Sequence, residues 1–371
     1  MHRLNFRIFA HSWVSDWNHG NAHFLRGLAR ELVRLGHHVR CYEPLGSWSL
    51  TNLVRNEGDT AIEAIDQFRR AYPELDIHFY KEDETFPEFA RHELRHADVV
   101  LVHEWNDPRV VNAILALREH ERFVALFHDT HHRAYTNASE ILRFHLHKFD
   151  GVIAFGEAIR RIYTDGFGIQ RAWTMHEAAD TEAFRPILAA KRNDIVWIGN
   201  WGDEERTREL EEFLIGPAAA LKDCKVVVHG VRYPEPAVRK LKEAGIEYRG
   251  YLPNLKGAAV YGESKVTVHV PRRQYSNGLS GIPTIRVFEA MACGIPLVCS
   301  PWGDVENLFR PGQDFLVAPD GKAMTAELSN LMHDSEARRQ LGQAGLETIR
   351  ARHTCAHRAA QLLDICGELG K

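Results

Sequence analysis

Short apolar runs alternate along the chain with stretches whose apolar residues recur at helical spacing. "FRIFA" leads into "AHFLRGLARELVRLG" and then "HVRCYE", and "DVVLVHEW", "RFVALFHD" and "DGVIAFG" follow with amphipathic segments between them. Apolar runs of this length bounded by turn residues read as buried strands, and the intervening period reads as helix. The β-α-β rhythm predicts an α/β fold with a parallel, doubly wound sheet. It halts at "RAWTMHEAADTEAFRP". A second series then begins: "DIVWIGN", "CKVVVHG", "EYRGYL", "KVTVHV", "PLVCS" and "FLVAP". Two such series predict two Rossmann-like domains, residues 1–180 and 181–371, joined near Ala179 to Pro186. The segments from about Ala323 to Leu369 read as helices that cross back to the first domain.

Ligands of such sheets bind outside the carboxyl ends of the strands. Two domains facing each other would bring those ends to one interdomain cleft, so the residues just after each strand are the candidates. Gly20 and Asn21 precede a helix with Phe24, Leu28, Leu32 and Leu35 on one apolar face. Free N–H groups at its start suit a phosphate or a sugar hydroxyl, and equally a plain turn. No G-x-G-x-x-G occurs there, which disfavours a dinucleotide oxidoreductase. "FHDTHHR" places His128 and Asp129 at the end of a central strand. A histidine there hydrogen-bonds a substrate hydroxyl, shuttles a proton or is structural.

In the second series, "WIGNWGDEERTREL" puts Asn200 after a strand and Arg206 in a first helical turn, where a cation opposes the helix dipole. Either a phosphate or solvent compensates it. Arg272 and Arg273 follow another strand, ahead of a Gly- and Ser-containing loop and a helix starting near Thr284 and Ile285. Basic side chains beside a helix N-terminus suit a diphosphate, and a solvated loop is the other reading. That helix, in "GIPTIRVFEAMACGIPLVCS", is apolar apart from Arg286 and Glu289. Glu289 either turns to solvent or holds a hydroxyl-bearing ligand, because a carboxylate is rarely buried without a partner.

Composition narrows the chemistry. The chain has 371 residues and a net charge of −4 with cations spread along it, so no nucleic-acid partner is expected. The 22 histidines are scattered and lack zinc spacing, so no metal is expected. Six cysteines form no C-x-x-C pair and read as reduced thiols of a cytoplasmic protein. The N-terminus lacks the apolar stretch of a signal peptide, and no run approaches the ~20 residues of a membrane span.

Three stretches carry a family resemblance. "GNAHFLRGLARELVRLGHHV" is similar to a first loop and helix, "AADTEAFRP" to an interdomain "GVDTERFRP", and "FEAMACGIPLVCS" to a "LEAMACGVPVV" signature. In this order they resemble the retaining GT-B glycosyltransferases, and within them the spore-maturation-protein-like (CgeB-type) branch. The resemblance implies a fold of two Rossmann-like domains facing a cleft. It implies transfer of a sugar from a nucleotide sugar, with uridine the expected base, and retention without metal or bound cofactor. It implies that Glu289 binds the ribose hydroxyls and that Arg206 matches a diphosphate-binding lysine. Asn200 stands where the family has an arginine, with Arg272 or Arg273 supplying the charge. His128 matches a histidine near the transferred sugar. Asp129 and Glu177 are the candidate carboxylates, with His176 beside the latter. A second family glutamate falls on Gly281. The acceptor is expected to be a glycan, such as one of the cell envelope, a lipid-linked compound or a small molecule, and peripheral membrane contact stays open. A nucleotide-sugar epimerase and a catalytically silent binding or surface-assembly protein are the rival readings.

Overall fold

The computed structural model describes residues 2–371, apart from the side chains of Glu119 and Asp203. The first apolar series forms a parallel sheet with seven strands among the described residues. They are β1 Asn5–Phe9, β2 His38–Pro44, β3 Asp76–Tyr80, β4 Val99–His103, β5 Val124–Asp129, β6 Gly151–Ala154 and β7 Ala172–Thr174. The spatial order is β3-β2-β1-β4-β5-β6-β7. The second series forms a six-stranded sheet: β8 Asn193–Ile198, β9 Val226–His229, β10 Glu247–Tyr248, β11 Ser264–His269, β12 Leu297–Cys299 and β13 Leu316–Val317, ordered β10-β9-β8-β11-β12-β13. The central strands are covered on both faces, which is why they read as unbroken apolar runs. Val99 to Val102 and Val226 to Val228 are all buried.

Both edges of the first sheet lacked such a run. β3 is exposed or half-buried along most of its length, and all three residues of β7 are half-buried. Leu35, expected on the apolar face of the first helix, lies beyond the end of helix Ala22–Arg34 and is exposed.

The chain divides into two compact units. The first holds residues up to Glu177 together with Cys355–Lys371, and the second holds Ala178–Thr354. Helices Gly321–His333 and Ser335–Arg352 belong to the second unit, whereas Cys355–Glu368 packs on helix Ala22–Arg34 of the first. Arg358 Nε donates to His176 O at 2.7 Å and Gln361 Nε2 to Thr174 O at 2.7 Å, which ties this last helix to the segment leaving β7.

The order of each sheet reverses once, between β1 and β4 and between β8 and β11. These are the switch points at which open α/β sheets bind ligands. In the second unit the backbone at that level leaves no space. A Cβ at Gly230 would stand 2.1 Å from Gly199 O.

Gly230→Ala should therefore lower the stability of the second unit by roughly 1–3 kcal/mol, the scale of a local backbone conflict. Gly367→Ala, where a Cβ meets nothing within 4 Å in a helix, should be neutral or stabilising by up to about 1 kcal/mol. Thermal melts of the two variants against the parent check both signs.

Candidate functional site

At the switch point of the second sheet, Arg206 reaches across the loops that follow β8 and β11. Its Nε donates to Trp201 O at 3.2 Å and its Nη1 to Val270 O at 3.1 Å, while Nη2 donates to Asn200 O. Burial lowers its pKa to about 9, and the nearby Arg272 and Arg286 push in the same direction. Arg206 does not sit inside a first helical turn as its spacing suggested. It precedes helix Thr207–Leu210 as the N-cap, because a short turn at Asp203–Glu205 takes up the loop before it. Nor is it a solvated surface charge, since its donors face backbone carbonyls.

The two arginines after β11 are also engaged. Arg272 pairs with Glu205, and Arg273 meets Glu209 through two contacts of 2.8 and 3.1 Å. Asn200 Oδ1 accepts from Val231 N at 2.9 Å, so this side chain links loops. Helix Ile285–Ala292 begins after Thr284, whose Oγ1 lies 2.8 Å from His269 Nε2. His269 is held neutral, with burial taking its pKa to about 3 and Arg206 and Arg286 repelling its charge. Ile285 is buried in the first turn.

Glu289 is fully buried and does not turn to solvent. Arg286, three residues earlier on the same helix, contacts its Oε2. Gly281 has φ +94°, and a Cβ there would lie 2.4 Å from Val305 Cγ2. With this backbone a glutamate at that position would be strained. Arg206, Arg272 and Arg286 thus converge near the β8/β11 reversal. Arg286 entered the sequence reading only as a neighbour of Glu289; its i, i+3 spacing was the signal of a shared face.

In the first unit, the register pairs His103 with His128, so both side chains leave one face of neighbouring strands. Their ring centroids are 5.5 Å apart. His11, just past β1, lies 5.7 Å from His103 and 4.0 Å from His19. Burial lowers the pKa of His11 and His128 to about 4 and holds His19 and His103 well below the usual value. Beside them lie two buried carboxyls. Burial raises Glu104, which faces Asp129, and raises Asp129. Arg133 Nε and Nη2 contact Glu104 Oε2 at 3.2 and 3.0 Å, and Tyr163 donates to Asp129 Oδ2 at 2.6 Å.

Asn21 caps helix Ala22–Arg34 by position only, because its side chain instead donates to Thr130 Oγ1 at 2.6 Å. Gly20 is the half-buried residue before it. Glu177 is buried at the end of the first unit, where its carbonyl and that of His176 receive Arg358. His128, Asp129, Asn21 and Thr130 are thus brought to one place, and Glu177 is held through its backbone. Sequence reasoning missed His11, His19, His103 and Glu104. The strand-end rule that singled out His128 applies equally to "VLVHEW". Among the described residues, no group of three His, Cys, Asp or Glu side chains is placed to hold a metal ion, and no helix is long and apolar enough to cross a membrane.

Both halves match known domain families. Residues 19–183 match the model described as Glycosyltransferase Family 4, and residues 206–364 match Glycosyl transferase-like. Each match spans less than half of the chain, and the two parallel-sheet α/β units, of seven and six strands among the described residues, have the GT-B fold. No curated protein is significantly similar in sequence. Similar solved structures include Anabaena HepE in complex with UDP and glucose, at 11% identity and TM-score 0.70, covering 98% of this chain and 100% of that one. The sucrose-phosphate synthase of Thermosynechococcus elongatus is 16% identical with TM-score 0.68, covering 99% of both chains. An alpha-glucosyltransferase in complex with UDP-glucose and DNA containing an abasic site is 11% identical with TM-score 0.69, covering 99% and 100%.

The buried histidines make stability depend on pH. An unfolded histidine takes up its proton near pH 6.5, whereas folded His128 does so at about 4. Its contribution is present above pH 6.5 and is lost as pH falls towards 4, amounting to roughly 3 kcal/mol at the limit. Denaturant titrations at pH 7.5 and 5 should give a clear fall for the parent and a smaller fall for His128→Gln.

Proposed function

We propose that the protein transfers a glycosyl group from a nucleoside-diphosphate sugar, with UDP as the carrier, to an acceptor hydroxyl. The observation that carries this reading is the convergence of Arg206, Arg272 and Arg286 beside Glu289 at the β8/β11 switch point. It lies in the half that matches the Glycosyl transferase-like model. Anabaena HepE bound to UDP and UDP-glucose supports the choice of carrier.

In this reading Glu289 accepts the two ribose hydroxyls. Arg206 and Arg272 meet the diphosphate, with a phosphate oxygen replacing Glu205 on Arg272 and with Arg273 outside them. N–H groups at Thr284 and Ile285 add to the same anion site. Asn200 shapes the loop. For the first unit the reading gives Gly20, Asn21 and His128 the binding of sugar hydroxyls, with Asp129 and Glu177 as its candidate carboxyls.

The step is a front-face substitution that retains configuration. The acceptor oxygen bonds to the anomeric carbon as the bond to the diphosphate oxygen breaks, and the hydroxyl proton passes to that departing oxygen. The arginines stabilise the charge that develops there, so no metal and no bound cofactor are required. A cytoplasmic enzyme acting on a cell-envelope glycan or its lipid-linked precursor fits this chemistry. A silent nucleotide-sugar-binding protein is the second reading. It is favoured by Gly281, where the retaining family's second glutamate is missing.

The test is calorimetric titration of uridine and uridine diphosphate. Arg272→Ala should weaken the diphosphate by roughly 1.5–3 kcal/mol, the value of a charge-assisted contact, and leave uridine nearly unchanged. Arg206→Ala should do the same and also melt earlier, because three carbonyls lose their donor. Glu289→Gln should weaken uridine as well, with some loss of stability from the broken Arg286 pair. Equal effects on both ligands would make the arginines structural.

With a UDP-sugar and an accepted acceptor, proton NMR of the product should give a retained anomeric linkage, unaffected by EDTA. Absence of even slow UDP-sugar hydrolysis would favour the silent reading.

A further inference from the structure

The strand order of the first sheet reverses between β1 and β4, the place where such sheets form a ligand crevice, and buried histidines with unpartnered ring nitrogens gather there. Both ring nitrogens of His128 are buried without a partner, as are Nδ1 of His11 and Nδ1 of His103, while the ring of His19 meets the Ser15 backbone and stacks 4.0 Å from His11. His19, His103 and His128 are 4%, 1% and 0% exposed. Unsatisfied buried polar atoms at this density are unusual in a folded protein and call for a ligand or water. We propose that this crevice is the binding site for an uncharged polyhydroxyl compound, held by the ring nitrogens of His11, His19, His103 and His128. It deepens the transferase reading by giving the acceptor a chemical class, and it rests on that reading only for the name acceptor.

The chemistry selects the class. A neutral imidazole offers one donor and one acceptor, and so does a hydroxyl, so a polyol satisfies several imidazoles at once. A phosphate or carboxylate brings only acceptors and a charge that needs a cation. Both nearby cations are already committed. Arg133 is held by Glu104, and Arg26 donates to Trp13 O and Val14 O and pairs with Asp16. The histidines themselves stay uncharged, because burial and these two arginines oppose protonation.

One tautomer follows from the network. Asn21 donates into Thr130 Oγ1, so the hydroxyl proton goes to the nearer of its two acceptors. These are His103 Nε2 at 3.0 Å and Glu104 Oε1 at 3.4 Å. His103 then carries its own proton on Nδ1, the atom without a partner, and presents it as a donor. Thr130 is a positioning residue in this scheme. Trp105 stands at the rim, 42% exposed, with its ring centroid 6.3 Å from that of His11 and Arg133 stacked 3.8 Å from its own ring. It offers an apolar face to a sugar ring.

The test uses the full chain labelled with 15N-histidine, without nucleotide, titrated with methyl glucoside, methyl galactoside, sucrose, glucose 6-phosphate and glucuronate at equal ionic strength. At least one neutral compound should shift the ring nitrogens of His19 and His103 saturably, and the two anions should bind at least ten-fold more weakly. Trp105→Ala at the exposed rim and His19→Gln should each weaken the neutral compound ten-fold or more, with melting curves confirming the fold. The free protein should give the Nδ1-protonated pattern at His103, and Thr130→Val should change it. Saturable binding of glucose 6-phosphate as tight as the neutral compounds overturns the proposal, and so does the absence of any saturable shift with the three neutral compounds. A parallel titration with uridine diphosphate keeps the readings apart. If it binds while every glycoside fails, this inference alone falls; if a glycoside binds and the nucleotide does not, the donor reading falls.

Discussion

One arginine serves two buried carboxyls in the first unit, and the character of that unit follows from this imbalance. Glu104 and Asp129 stand at the ends of adjacent strands with Arg133 against the former. A single guanidinium balances a single negative charge, and burial raises both carboxyls, so the pair is pushed towards sharing a proton. Had both carboxyls been ionised, the adjacent histidines would have been drawn towards protonation, and the crevice would have become a charged site. Thr130 depends on the same pair. Its N–H is fixed on Glu104 Oε1 at 2.9 Å, which sets where its hydroxyl meets His103.

The second unit solves the opposite problem. Three guanidiniums converge there, and each is kept from isolation by groups of the chain itself: carbonyls for Arg206, Glu205 for Arg272 and Glu289 for Arg286. The two units thus differ in charge: guanidiniums gather at the reversal of the second sheet and neutral imidazoles at that of the first.

Much of this was legible before folding. The buried strands announced themselves because apolar runs covered on both faces have no polar alternation to hide them. β3 and β7 did not, because an edge strand keeps polar and exposed positions. Arg206 and Glu289 stood out as charges in unfavourable local settings. Their partners were less visible. Glu205 meets Arg272 across 67 positions of sequence, and no local rule connects them. The histidine group was hidden for a related reason. His11 and His19 share the loop after β1 while His103 and His128 lie on β4 and β5, and only the parallel register of these three strands gathers them.

The last helix has a consequence for how the chain comes into being. Residues 178–354 are an uninterrupted stretch, whereas the first unit needs Cys355–Lys371 to cover helix Ala22–Arg34. During synthesis the first unit therefore waits for Cys355–Lys371, while the second can close earlier. A premature stop after Thr354 would spare the unit just completed and strip the one begun first. The damage would appear at Phe24, whose carbonyl faces Cys355 Sγ at 3.8 Å, some three hundred residues upstream of the lesion.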